Sequence, residues 1–404
     1  MAVTVRALVR VARIGALTLG GIGVLALYVL AIWRAPEFLV NRDLLIKAAP
    51  EQRLPAEHNA RLIVISVGGA LVVGTGLLYT ARNYRLAHRG QVTERFTKAL
   101  ERLGSDELYV RIGGVHALEH VMRDSPEHHG DVVEVLVAFV RDRLPRSGTE
   151  AADETPWIHP PSGTDEPELP AEPPPDVLAA LTALGNRPKQ TKHNRASLNF
   201  RQLHVRGVQL IGAQFKNADL READLQNANL NRADLQNANL TEANLQNAYL
   251  FSANLHRADL RRANLQNADL REANLRIAVL LRTDLQNAYL TEAKLQYAYL
   301  SEANVQNANL GGAKLQNANL RKADLQNADL GGAKLQNADL REANLQNADL
   351  REANLQNANL RGADLSLASL TAEQLRQAVL SEHTVLPEGL TRGPLGEIGE
   401  KNLS

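Results

Sequence analysis

Between Ala196 and Leu380 apolar residues recur every five positions, and these 185 residues divide into 37 pentads. Leucine stands at 220, 225, 230 and onward, with alanine two places before it and asparagine or aspartate between, as in Ala218-Asp219-Leu220-Arg221-Glu222. A helix turns about 100° per residue, so the alanine and leucine of one pentad would point roughly 200° apart and successive leucines would drift by roughly 140°. No apolar face forms that way. In extended backbone, residues two apart share a side, so alanine and leucine point inward together and the polar residue between them points out. The pattern predicts a coil of flat faces, one per pentad, with a small and a large side chain filling a narrow interior. Neighbouring coils then supply one another's backbone hydrogen bonds.

The apolar pattern at the start of the chain is of another kind. Ile14 to Trp33 is a run of 20 residues without a charge, and Leu62 to Thr80 is another of 19. As helices rising about 1.5 Å per residue, each reaches roughly the 30 Å of a bilayer's hydrocarbon core, with Tyr28, Trp33 and Tyr79 near the interfaces. Residues 1–90 are therefore predicted to be a membrane anchor with two spans, 14–33 and 62–80. The alternative, a cleaved signal peptide with Arg6, Arg10 and Arg13 as its basic region, fits less well because the apolar run is too long and no small-x-small cleavage site follows. Those three arginines, and Arg82, Arg85 and Arg89 after the second run, place both flanks on the cytoplasmic side.

Helical spacing continues beyond the anchor. Val92, Phe96, Ala99, Leu100 and Leu103 mark one amphipathic helix stopped by Gly104. Leu108, Ile112, Val115, Leu118 and Met122 mark a second, capped by Ser105. Val132, Val133, Val135, Leu136, Phe139 and Val140 mark a third that starts at Ser125-Pro126. Residues 91–144 thus read as a small helical module. Residues 145–175 hold nine prolines, and seven acids against Arg146 alone, the composition of a disordered spacer that leaves the distal part free to move. Residues 176–195 are a short helix capped by Asp176 and closed by Gly185, plus a lead-in; 196–380 are the repeats; 381–404 are a terminal cap and tail. Thr371 and Gln374 form a capping box for a closing helix.

The repeat motifs resemble the pentapeptide-repeat family, with its consensus of alanine, asparagine or aspartate, leucine and two variable residues. The resemblance implies an all-β right-handed quadrilateral β-helix with four pentads per coil, here preceded by two transmembrane helices and a small α-helical module. It also implies roughly nine coils in a rod about 43 Å long at ~4.8 Å per coil. The segment from Gly90 to Glu119 resembles the neck of membrane-bound bacterial members, for which it implies no activity.

Chemistry is sparse. His116-Ala117-Leu118-Glu119-His120 matches the HxxEH pattern of inverted zinc peptidases, in which two histidines on one helix face grip zinc and the glutamate is the base. The competing reading is a solvated face of a charged helix, and no third ligand is evident, so no catalytic, metal or cofactor set is assigned. The absence of cysteine removes disulfides and thiolate sites. Between residues 196 and 380, 20 lysines and arginines stand against 19 aspartates and glutamates. No DNA-like field follows, which disfavours DNA mimicry toward a topoisomerase, and no nucleic-acid partner is expected. The expected function is a non-enzymatic scaffold, multi-pass in the inner (plasma) membrane, with its N-terminus and repeats cytoplasmic and a protein partner on the rod. At 20 residues per coil, Asn227, Asn247, Asn267, Asn287, Asn307, Asn327 and Asn347 stack in a ladder that stabilises the rod. Arg257, Ile277 and Tyr297 stack in one column, and Asp259, Val279 and Tyr299 in another on the same face. Ile277, Val279, Tyr297 and Tyr299, rimmed by Arg257 and Arg276, form the candidate partner patch, against the alternative of local sheet packing or drift within the repeat.

Overall fold

The computed structural model describes residues 23–40, 50–144, 173–188, 198–392 and 398–400. The chain divides into two compact units at Gln91/Val92.

In the first unit, residues 23–39 are helical, and residues 14–22 of the first expected span lie outside the described residues. A long helix runs Pro50–Leu103. It is the one helix among the described residues that is long and apolar enough to cross a membrane. Its most apolar window has a mean hydropathy of 2.1 with only 6% of that window buried, unlike the core helix of a globular domain. Two of its hydroxyls bond within the helix: Thr75 donates to the Leu71 carbonyl at 2.8 Å and Thr80 to that of Gly76 at 2.8 Å. Nothing between Thr80 and Leu103 breaks a helix except one tolerated glycine, Gly90. The expected second span and the amphipathic helix expected from Val92 to Leu103 are therefore one continuous element.

The second unit begins with the end of that helix and continues through two neck helices, Leu108–Asp124 and His129–Arg143. Several expected caps are corrected. Gly104 is not among the left-handed glycines. Glu107, not Ser105, precedes the first neck helix, and the Ser105 hydroxyl accepts the Glu107 N–H at 3.2 Å. Ser125 and Pro126 lie in the turn before His129. The buried faces are nearly those expected, with Val115, Leu118, Val121 and Met122 against Val132, Val133, Leu136, Phe139 and Val140. A Cβ at Gly114 would meet the Ala99 carbonyl oxygen at 3.0 Å, so glycine permits the close helix crossing.

A short helix, Pro175–Gly185, joins this neck to the repeats. Pro174 is its N-cap and Pro175 opens its first turn, which frees Asp176 from the expected capping role. The Asp176 carboxylate is instead buried and accepts a bond from Arg111 Nε at 2.6 Å, with Arg143 at 3.7 Å. At the other end the Gly185 carbonyl accepts the Gln214 N–H at 2.8 Å. A Cβ on Gly185 would come within 2.9 Å of Ala213 Cβ, so its glycine serves close approach rather than helix termination. The sequence suggests a neck separated from the repeats by a spacer. In the structure one contiguous apolar core runs from Val92 through Leu184 into the repeats. Most of the spacer lies outside the described residues.

The repeats form a solenoid with a coil of 20 residues, seen in parallel bridges such as Asn229↔Tyr249↔Asp269↔Tyr289. The inward alanines and leucines, among them Ala308 and Leu310, are buried. Each leucine N–H donates to the coil above, as from Leu310 to the Asp329 carbonyl, and each middle residue donates to the coil below, as from Asp329 to the Ala308 carbonyl at 3.0 Å. Little of the pentad is strand. Only the alanine-x-leucine segment is extended. The two variable residues make a turn whose second member is left-handed, with φ near +58° at Asn227, Asn247 and Glu272 and with Gly312 and Gly332 in equivalent places. Asparagine suits that conformation and can also stack. Asn267 donates to Asn247, Asn287 to Asn267, Asn327 to Asn307 and Asn347 to Asn327 at 2.9–3.2 Å.

Both ends are covered. Phe200 and Phe215, packed edge to face at 5.6 Å, fill the first coil beneath the Pro175–Gly185 helix. At the far end the helix Ala372–Arg376 starts with the Thr371–Gln374 capping box. Gln374 Nε2 also donates to the Leu350 and Ala353 carbonyls at 2.7 and 2.8 Å, and so takes up the alanine oxygen that a further coil would otherwise bond. Beyond it Leu390–Arg392 and Ile398–Glu400 pair antiparallel.

Candidate interaction surface

The HxxEH motif lies on the first neck helix with both histidines exposed. Glu119 accepts a bond from Arg123 Nη2 at 2.9 Å and lies 3.6 Å from His116 Nδ1. His120 lines a cleft of about 330 Å³ with Arg95, Lys98 and Arg102. Three cations stand there against one carboxylate, Asp124, a balance unsuited to a divalent metal, and Glu119 is held by an arginine. Among the described residues no group of three or more metal-ligating side chains is found.

The solenoid surface is defined by its turns. In most pentads the middle residue is asparagine or aspartate, and its side-chain oxygen accepts the N–H two residues on, as Asn274 does from Arg276 and Asp284 from Gln286. Where that N–H belongs to arginine and the acceptor is aspartate, the guanidinium doubles the contact. Arg221, Arg271 and Arg341 each bind the aspartate two residues back through two nitrogens, and Arg351 grips Asp349 in the same way. These bonds hold the carboxyls of Asp219, Asp269, Asp339 and Asp349 below the usual range.

The candidate patch departs from both rules. Val279 and Tyr299 are consecutive members of one bridge column, following Asp259 and preceding Asn319. Neither side chain can accept the turn N–H. Ile277 and Tyr297 occupy the adjoining left-handed corner, each with φ +60°, in line with Arg257 at +58°. A β-branched isoleucine is poorly suited to that conformation. Tyr297 and Tyr299 are 52% and 47% exposed, whereas Ile277 and Val279 are half-buried. Arg257 and Arg276 are exposed, and the Arg257 N–H donates to the Arg276 carbonyl at 3.0 Å. The structure thus brings all six residues onto adjacent coils.

Two further groups escape a reading centred on that patch. Tyr249 and Tyr289 replace asparagine or aspartate in a column half a coil away, 51% and 52% exposed, with Asp269 bridging between them. Lys294, Lys314 and Lys334 make the same kind of replacement in a third column. The signal for both is in the sequence: a residue other than asparagine or aspartate between alanine and leucine.

Several known proteins are similar to this chain. HetL, a pentapeptide repeat protein involved in heterocyst differentiation regulation from the cyanobacterium Nostoc sp. strain PCC 7120, is 30% identical, covering 50% of this chain and 92% of its own, with a TM-score of 0.35. Rfr23, a pentapeptide repeat protein from the cyanobacterium Cyanothece 51142, is 38% identical over 26% of this chain and 63% of its own, with a TM-score of 0.18. QnrB1, a plasmid-mediated fluoroquinolone resistance protein, is 18% identical over 48% of this chain and 91% of its own, with a TM-score of 0.36. No curated protein matches the chain. The Pentapeptide repeats family is matched in 8 copies, over residues 199–237, 228–267, 268–307, 298–337 and 333–371. The repeat period, the buried alanine–leucine interior, the family match and the sequence identity to HetL make the chain a member of the pentapeptide-repeat family.

Proposed function

We propose that this chain is a membrane-anchored, non-enzymatic scaffold whose solenoid presents a protein-binding surface to the cytoplasm, centred on Ile277, Val279, Tyr297 and Tyr299 with Arg257 and Arg276 at its rim. The anchor comprises two spans, the second within Pro50–Leu103, with both termini on the cytoplasmic side. The observation that carries the partner surface is conformational. Bulky residues at 277 and 297 occupy left-handed corners where neighbouring coils of the same column use arginine or asparagine. Such residues cost of order 1–2 kcal/mol there, and Tyr297 and Tyr299 leave about half of their surface exposed beside them. DNA mimicry is disfavoured by the near-neutral repeats.

Two experiments test the reading. Paired reporter fusions after Arg89, one active only in the cytoplasm and one only outside, should report a cytoplasmic junction; activity of the external reporter alone would contradict the topology. Replacing Tyr297 by Ser and Tyr299 by Asn restores ordinary repeat chemistry and should abolish capture of a partner held by the wild-type chain. Equal capture by the variant would make the patch purely structural.

A further inference from the structure

The face before this patch breaks the repeat pattern in a different way. One bridge column reads Asn254, Asn274, Lys294, Lys314, Lys334, Asn354. Stacked coils lie about 4.8 Å apart, so three ammonium-bearing side chains leave the backbone in a straight line roughly 10 Å long. Like charges in direct register repel. The three lysines form no ion pair among the described residues, in contrast to Lys322, which lies 3.4 Å from Glu342.

Two further observations fall on the same coils. Asn274 and Asn354 accept the N–H two residues on, whereas lysine has no acceptor to offer. The glutamines at those next positions, Gln296, Gln316 and Gln336, each hold a buried Oε1 without a hydrogen-bond partner. On the opposite face Gln266, Gln306 and Gln346 are tied to Asp284, Asp324 and Asp364. The adjoining corner also changes. It is Arg271-Glu272 and Thr291-Glu292 below and Arg351-Glu352 above, but Gly311-Gly312 and Gly331-Gly332 beside Lys314 and Lys334. A Cβ at Gly332 would meet nothing within 4 Å, so packing does not demand glycine there. The pairs leave Lys314 and Lys334 without a corner glutamate in their own coils and open the backbone beside them, while Lys294 keeps Glu292, whose Cγ lies 3.6 Å from where a Gly312 Cβ would stand.

We infer that Lys294, Lys314 and Lys334 form a docking strip for an extended acidic peptide segment of a protein partner, lying along the solenoid axis with its backbone over the glycine pairs. An extended chain repeats its side every 6.6 Å or so, and a polyproline-type chain about every 9.3 Å, close to two coils; the flexible lysine stems absorb the difference. A nucleic acid fits less well. The repeats carry almost no net charge, so they lack the broad cationic field from which a phosphate backbone gains its affinity. The strip goes beyond the aromatic patch and is tested separately from it.

The test uses the full-length chain purified in detergent and a fluorescein-labelled decaglutamate peptide, read by fluorescence anisotropy. The triple variant Lys294→Asn, Lys314→Asn, Lys334→Asn copies the residue this column already uses at 274 and 354, so the fold is retained. Decaglutamate should bind the wild type and lose at least tenfold in affinity in the triple variant, while Lys322→Asn leaves it unchanged. The inference is overturned if the wild type does not bind the peptide, if the triple variant binds within twofold of wild type, or if a deoxythymidine decamer binds more tightly than decaglutamate.

Discussion

Leu310 shows what one inward residue does. It is fully buried and its N–H is bonded to the next coil. Shortening it to alanine leaves a cavity between coils that cannot close, so Leu310→Ala should cost roughly 2–5 kcal/mol. Leu310→Asp should prevent folding of the repeats, since it places an unpaired carboxylate in the same space. A thermal melt that did not change in Leu310→Asp would refute the inward register. The corner residue gives the opposite sign. Ile277→Asn replaces a strained side chain with one that the left-handed turn accepts, and should raise stability by about 1 kcal/mol, measured by urea unfolding. A destabilised Ile277→Asn would mean that the isoleucine packs for structure. The inward pair was legible from the sequence because its period admits no other backbone. The left-handed corner was not, because asparagine, glutamate and arginine there read as ordinary surface; the recurrence of asparagine and glycine at that position was the available signal.

Among the elements, the Pro175–Gly185 helix has the largest consequence, and it was the one least legible in its contacts. Asp176 before an apolar run suggests a cap. Its actual partner, Arg111, lies 65 residues away, and no local pattern announces it. Removing one member of a buried ion pair strands the other, so Asp176→Ala should destabilise the neck by roughly 3–5 kcal/mol. The repeats bury their alanine–leucine pairs coil against coil, away from this ion pair, so proteolysis of this variant should cut first in the neck helices. Simultaneous cleavage throughout the chain would contradict that. The neck also contains a proton-sensitive group. Burial pushes the His129 imidazole below its ordinary pKa. A depressed folded-state value means the neutral ring's contribution is fully present above the unfolded pKa of about 6.5 and is lost as pH falls through the folded value. Neck stability should therefore decline first between neutral and mildly acidic pH, and His129→Leu should remove that decline.

For the whole molecule, acid acts on a second set of groups. The depressed carboxyls of Asp219, Asp269, Asp339 and Asp349 give the solenoid stability that persists above the unfolded pKa of about 3.9 and is lost only as pH falls through their lower folded values. The repeats should thus outlast the neck on acidification. Their arginine partners are solvent-exposed, so salt should weaken this contribution. The same scale explains what the sequence could say about function. A repeat that satisfies every coil identically makes any departure visible, and the aromatic and lysine columns stand out for that reason. Site-specific photo-crosslinking in intact cells tests the partner surface most directly, with benzoylphenylalanine replacing Tyr297 in one full-length variant and Asn337, two coils along the same column, in another. A discrete heavier species from position 297 and none from 337 is the predicted result; no adduct at 297, or the same adducts at both positions, would contradict the account.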